Sequence, residues 1–111
     1  MFKNLFSRSA DSETITIEDL AEAAESGEAA IVDVREPHEY GVGHIPDAVN
    51  LPLSRFDPGE LPTGKPVILI CQAGARSKRA LDQARAAGRE DIRHYAGGMN
   101  GWRSHGGDVT L

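Results

Sequence analysis

One cysteine, Cys71, stands in a chain of 111 residues. A single thiol excludes an internal disulfide framework and falls short of a zinc-ligand cluster, so neither a metal nor another cofactor is expected. Long apolar runs are missing too, and none reaches the length that spans a bilayer. Positive charge is in deficit: 12 Lys and Arg stand against 17 Asp and Glu, a formal net charge of −5. That balance argues against nucleic acid or an anionic membrane as partner, since both favour a basic surface. The first residues, Met1 to Arg8, lack a seven-residue apolar core and a small-residue cleavage site, so no signal peptide is expected and a cytoplasmic location is. Repeats, low-complexity tracts and interdomain linkers are absent as well. Residues 1–12 are therefore read as an N-terminal arm, loose or docked through Phe2, Leu5 and Phe6, and 13–111 as a single domain. A chain of this size buries roughly 60–70% of its unfolded surface, enough for one core without covalent staples.

The ordered elements follow from apolar spacing. Thr16 is a natural N-cap, with Asp19 in the first turn. Ile17, Leu20, Ala21 and Ala24 then form a helical stripe that Gly27 stops. Ala29 to Val34 and Val67 to Ile70 are too continuously apolar to alternate, which suits strands covered on both faces, as in a parallel sheet. All six prolines lie between Pro37 and Pro66, so that connection is mostly turns. A short helix is expected at Pro37 to Tyr40 and a short strand at Ala48 to Leu51. Ser77 is read as the cap of a helix whose Ala80, Leu81, Ala84 and Ala87 face inward and which Gly88 ends. Asp91 to Ala96 is the last strand, Gly97-Gly98 a turn, and Met99 to Arg103 a final helical piece with Trp102 buried. Strands alternating with helices predict a small α/β domain with a largely parallel sheet.

Cys71 falls where the apolar run 67–70 ends and a helix begins, in the stretch CQAGAR. Ligands of open α/β sheets bind beyond the carboxyl ends of the strands. Taken alone, the cysteine reads most simply as a buried small hydrophobe. Its surroundings change that reading. Gln72, Ala73, Gly74 and Ala75 include no β-branched side chain, so the loop can curl its amide N–H groups into one anion-binding concavity. The following helix start near Ser77 adds free N–H groups and the positive end of its dipole. Arg76 adds a permanent charge with a forked donor geometry. Each of these favours thiolate over thiol. Cys71 is the candidate nucleophile, and residues 72–77 are the candidate binding loop.

IVDVREPHEYGVGHIPDAVNLPL (31–53), CQAGARS (71–77) and YAGGMNGW (95–102) together make the chain resemble the rhodanese-like family of single-domain sulfurtransferases. The first stretch resembles the family's first signature, the second its active-site loop, and the third its C-terminal signature. The resemblance implies a mostly parallel sheet of about five short strands flanked by helices. It implies that Cys71 takes a sulfane sulfur from a donor such as thiosulfate, becomes a persulfide, and passes the sulfur to cyanide, a thiol or a sulfur-accepting protein. The amides of Gln72, Ala73, Gly74, Ala75, Arg76 and Ser77 would steady the outer sulfur. Gln72 stands where many thiosulfate-using members carry arginine. Related phosphatases and arsenate reductases place five residues between cysteine and arginine, whereas four stand here, Gln72 to Ala75. The tighter ring matches one sulfur atom better than a phosphate group.

Other residues carry plainer expectations. Asp33 and Arg35 flank Val34 at a strand end and support the site through an ion-pair network, with Glu36 or Glu39 as the expected partner of Arg35. His38 and His44 are weak candidates for a general base, because the loop can hold a thiolate unaided. Gly97-Gly98 reads as a tight turn beside the loop rather than a phosphate site. Lys78 and Arg79 read as a solvated first helical turn that attracts anionic donors. Two alternatives stay open: a catalytically silent interaction module on the same fold, and a phosphatase or arsenate reductase relative.

Overall fold

The two continuous apolar runs become the centre of a sheet. In the computed structural model, which describes residues 13–111, strand β1 spans Ala30–Asp33 and β3 spans Val67–Ile70, and all four residues of β3 are buried. β2 (Val49–Asn50) and β4 (Ile92–His94) flank them in the order β2-β1-β3-β4. Every pairing is parallel, with Asp33 beside Ile70 and Leu69 beside His94. Helices α1 (Ile17–Ser26), α2 (Pro37–Tyr40), α3 (Ala75–Ala86) and α4 (Gly98–His105) fill the connections, with 3₁₀ turns at Leu53–Arg55 and Pro58–Glu60. Among the described residues the sheet has four strands, where about five are expected. Thr14 forms an isolated parallel bridge to His94 at the outer edge of β4. The arm expected over residues 1–12 lies outside the described residues. No described helix is long and apolar enough to cross a membrane.

Side chains of β3 alternate between two cores. Ile68 and Ile70 pack with Ile31, Leu20, Met99 and Trp102 under α1 and α4, while Val67 and Leu69 pack with Val32, Ile92, Ala80 and Leu81 under α3. Truncating one of these fully buried side chains to alanine costs about 2–5 kcal/mol. At the start of α1, Thr16 Oγ1 accepts the Asp19 N–H at 3.1 Å, and Gly27 closes the helix at φ 75°. Leu20 and Ala23 are its most buried apolar positions, and Ile17, Ala21 and Ala24 lie partly covered beside them.

Helix α3 begins two residues before its expected cap. Gly74, at φ 106°, turns the chain into the helix, so Ser77 lies inside the first turn and is fully buried. At the other end Ala87 is exposed rather than inward-facing, because it falls in the cap that follows Ala86. α4 extends past both ends of the expected Met99–Arg103 piece. Beyond it the chain returns to pair with the loop after α2, where His44 and Thr110 exchange backbone hydrogen bonds at 2.9 Å.

Candidate active site

Cys71 follows the last residue of β3, at the carboxyl edge of the sheet, and is only 1% exposed. Its Sγ accepts the Gly74 N–H at 3.0 Å and lies 3.4 Å from Ser77 Oγ. Helix α4 sets the direction of the loop peptides. The Met99 N–H donates to the Cys71 carbonyl at 2.8 Å, and the Asn100 N–H to the Gln72 carbonyl at 3.2 Å. A trans peptide points its N–H opposite to its carbonyl, so these bonds turn the Gln72 and Ala73 N–H groups away from α4. Gly98 permits the close approach, because a Cβ there would stand 2.3 Å from the Gln72 carbonyl oxygen. The Gly97-Gly98 turn thus packs against the loop, as its position in the sequence predicts.

Burial pushes the Cys71 thiol up, but hydrogen bonds from the Ser77 hydroxyl and from the amides of Ser77, Gly74 and Ala73 outweigh it. The thiol lies below its ordinary range as a result. A cysteine serving only as a core hydrophobe has no need of several converging donors. These donors favour negative charge on the sulfur.

Arg76 has a different partner from the one its sequence position implies. Its fork is closed on Glu39 of α2, with Nη1 to Oε1 at 2.6 Å and Nη2 to Oε2 at 3.0 Å. The Arg76 guanidinium lowers the Glu39 carboxyl from 4.5 to about 2, burial opposes it, and the Glu36 N–H adds to the lowering. Arg76 therefore brings an ion pair to the rim rather than an unpaired charge.

The expected network around Arg35 exists with another acid. Arg35 pairs with Asp33 through Nε at 3.0 Å and Nη2 at 2.8 Å, and both side chains are essentially sealed from solvent. Neither Glu36 nor Glu39 is the partner: Glu36 accepts from Ser54 Oγ at 2.7 Å, and Glu39 holds Arg76. The remaining donors of Arg35 reach the Gly43 carbonyl at 2.7 Å and Gln72 Oε1 at 3.2 Å. Gln72 in turn donates to Asn100 Oδ1 at 2.6 Å. The buried pair thus steers the residue after the cysteine, and Gln72 links β1 to α4. Of the other loop residues, Ala73 and Ala75 are exposed and Gly74 is buried.

His44 is committed elsewhere: Nδ1 meets the Tyr40 carbonyl at 2.8 Å and the ring stacks on Tyr40. His38 is exposed on α2. Lys78 is paired with Asp82 at 2.8 Å and Glu13 at 3.3 Å, which leaves it less of an anion lure than the sequence implies. Two residues around the loop escape the sequence reading, Asn100 beside Gln72 and His94 beside Ser77. The second was detectable: alternation along β4 puts His94 on the same face as Ile92, and the sheet register sets it beside Leu69, two residues before Cys71. No described group of His, Cys, Asp and Glu side chains could hold a metal ion. A cleft of about 410 Å³ between the end of α1 and the edge of β2 is lined by none of the loop residues.

The chain is similar to known proteins. The protein slr1261 of Synechocystis is 44% identical over 95 residues, which cover 84% of this chain and 53% of that protein. The chain thus spans about half the length of that relative. The thiosulfate:glutathione sulfurtransferase of Saccharomyces cerevisiae is 37% identical over 93 residues, 70% of this chain and 67% of the yeast protein. A rhodanese-related protein from Thermoplasma volcanium superposes with a TM-score of 0.79 at 32% identity, over 89% of this chain and 98% of its own. Residues 16–105 match the Rhodanese-like domain. With the parallel sheet, the loop closed around Cys71 and these relatives in agreement, the chain belongs to the rhodanese-like domain family.

Proposed function

We propose that the protein is a cytoplasmic sulfurtransferase whose nucleophile is Cys71. The observation that carries this reading is the thiol sulfur held at 3.0 Å from the Gly74 N–H, in a loop whose donors favour the thiolate. The thiolate attacks the sulfane sulfur of thiosulfate or of another persulfide donor. A sulfur–sulfur bond forms to Cys71, the bond to the donor breaks, and with thiosulfate the departing group is sulfite. Charge is conserved, and the product is a persulfide anion on Cys71. Attack on its outer sulfur by a thiol, cyanide or an acceptor protein then releases the Cys71 thiolate. Splitting the transfer this way makes it a two-step covalent reaction with ping-pong kinetics.

The loop residues divide the work. Amides of residues 72–77 stabilise the anionic outer sulfur, the electrostatic contribution that usually dominates such sites. Asp33 and Arg35 keep Gln72 in place, and with it the peptide after the nucleophile. Arg76 engages an anionic donor only by yielding part of its bond to Glu39, so a neutral or protein-borne persulfide is served as well as thiosulfate. The four-residue spacing between Cys71 and Arg76 favours sulfur over a phosphate group.

Initial-rate kinetics test the reading. Varying thiosulfate at several fixed concentrations of glutathione or cyanide should give parallel double-reciprocal lines, and Cys71→Ser should lose turnover by at least a thousandfold. Intersecting lines, or substantial turnover in the serine variant, would overturn it.

A further inference from the structure

His94 ends β4 with its side chain on the α3 face and is 4% exposed. Its Nδ1 lies 2.8 Å from Ser77 Oγ. The same oxygen is 3.4 Å from Cys71 Sγ and 3.2 Å from the Gly74 carbonyl. A hydroxyl has one proton to donate and two lone pairs, so the three neighbours cannot all be served alike. With the thiol protonated, S–H donates to Oγ and the Ser77 hydrogen turns to Nδ1 or to the Gly74 carbonyl. With a thiolate, the Ser77 hydrogen turns to sulfur and Oγ accepts from Nδ1–H. Each arrangement satisfies the buried groups, and a proton shift along sulfur, oxygen and nitrogen interconverts them.

We propose that Cys71, Ser77 and His94 form a buried proton relay, in which His94 is a positioning residue that takes the thiol proton through Ser77. This rests on the nucleophilic role proposed for Cys71. The S–H bond breaks with its electron pair left on sulfur, Oγ gains that proton, and the original hydroxyl proton moves to Nδ1. Nothing is oxidised, and the product is a thiolate facing an imidazolium.

Among the described residues, charged groups face His94 from three segments. Its own strand carries Arg93. From the segment before α1 comes Glu13, whose carbonyl accepts the His94 N–H at 2.9 Å and whose carboxylate pairs with Lys78. From α3 come Lys78, also paired with Asp82, and Arg85, which donates to the Ile92 carbonyl at 2.9 Å. The anion reached from the His94 ring through one hydroxyl is the Cys71 thiolate.

The pH dependence of Cys71 alkylation by iodoacetamide tests the relay on the full chain. Sulfur and Nδ1 stand no more than about 6 Å apart along the two contacts. Opposite charges at that distance, in an effective permittivity of about 20, shift each other by about two pH units. His94→Gln keeps an amide that can bond Ser77 but titrates nothing. Its alkylation midpoint should rise by that amount, and the two coupled steps of the parent should collapse to one. Coupling is reciprocal, so the His94 imidazole, followed by NMR, should titrate lower in Cys71→Ser than in the parent. That second comparison leaves residue 94 untouched and holds even if His94→Gln fails to fold. An unchanged midpoint in folded His94→Gln, or identical His94 titrations with and without the thiol, would overturn the relay. Neither measurement involves sulfur transfer. Coupling without sulfur transfer defeats the functional proposal alone, and sulfur transfer without coupling defeats the relay alone.

Discussion

Replacing Gly74 with alanine should damage both the fold and the thiolate, in amounts the structure allows to be separated. Gly74 sits at φ 106°, and a Cβ there would lie 2.4 Å from the Ala96 carbonyl oxygen. The obstacle is backbone, so no flexible side-chain end can move aside. A strained positive φ costs about 1–3 kcal/mol, and forcing the contact open adds about 1–3 kcal/mol. Reduced freedom of the unfolded chain returns only about 0.4–1 kcal/mol. The net expectation is a loss of roughly 1–5 kcal/mol, read from urea unfolding midpoints. The same shift carries away the N–H that meets Sγ at 3.0 Å. A hydrogen bond to a charged group is worth about 1.5–3 kcal/mol, which raises the thiol midpoint by about one to two pH units in iodoacetamide alkylation. Gly64 is the control: its φ is +90°, yet nothing lies within 4 Å of an added Cβ. Gly64→Ala should cost only the dihedral strain and leave the thiol unmoved. If Gly74→Ala unfolds like Gly64→Ala and alkylates like the parent, the contact with Ala96 does not shape the loop.

Two further substitutions probe the charges around the site. Glu39→Gln should destabilise the protein by about 1 kcal/mol at neutral pH, since the pair it breaks is only partly buried. The Glu39 carboxyl is depressed from 4.5 to about 2, so its contribution is complete above pH 4.5 and lost as the pH falls toward 2; the variant's acid unfolding curve should be flatter there. The substitution also frees Arg76, and KM for thiosulfate should fall several-fold; an unchanged KM would mean that Arg76 does not meet the donor. Arg35→Met leaves the sealed Asp33 carboxylate without its counter-charge and should cost about 3–5 kcal/mol in urea unfolding, with Asp33→Asn in the same chain restoring part of it. A loss below about 1 kcal/mol would mean that Asp33 does not depend on Arg35.

What the sequence made legible was what short range decides. Runs such as Val67 to Ile70 read as doubly covered strands because no polar residue interrupts them. The loop at 71–77 read as an anion site because its small residues permit the turn. Gln72 was read as a loop residue standing where many thiosulfate-using relatives carry arginine, and its side-chain amide is engaged by Arg35 and Asn100. Arg76 and Glu39 are 37 residues apart, and nothing local announces that the rim charge is already paired. Ser77 looked like a cap because serine usually is one before a helix. The positive φ of Gly74 starts α3 earlier and turns the hydroxyl into the interior, toward a histidine brought in by the sheet register. Arg35 faced two plausible glutamates in sequence and found the buried aspartate two residues back. Among the described residues the strand count falls one short at the outer edge of β4, beside which Thr14 forms an isolated bridge.

The persulfide on Cys71 is the central claim, and intact mass spectrometry addresses it most directly. Protein incubated with thiosulfate, freed of excess donor and weighed whole should carry one additional sulfur atom, absent from Cys71→Ser. Adding cyanide should restore the original mass and release one equivalent of thiocyanate per chain. A parent protein that produces thiocyanate from thiosulfate and cyanide yet never carries the added sulfur would contradict the account.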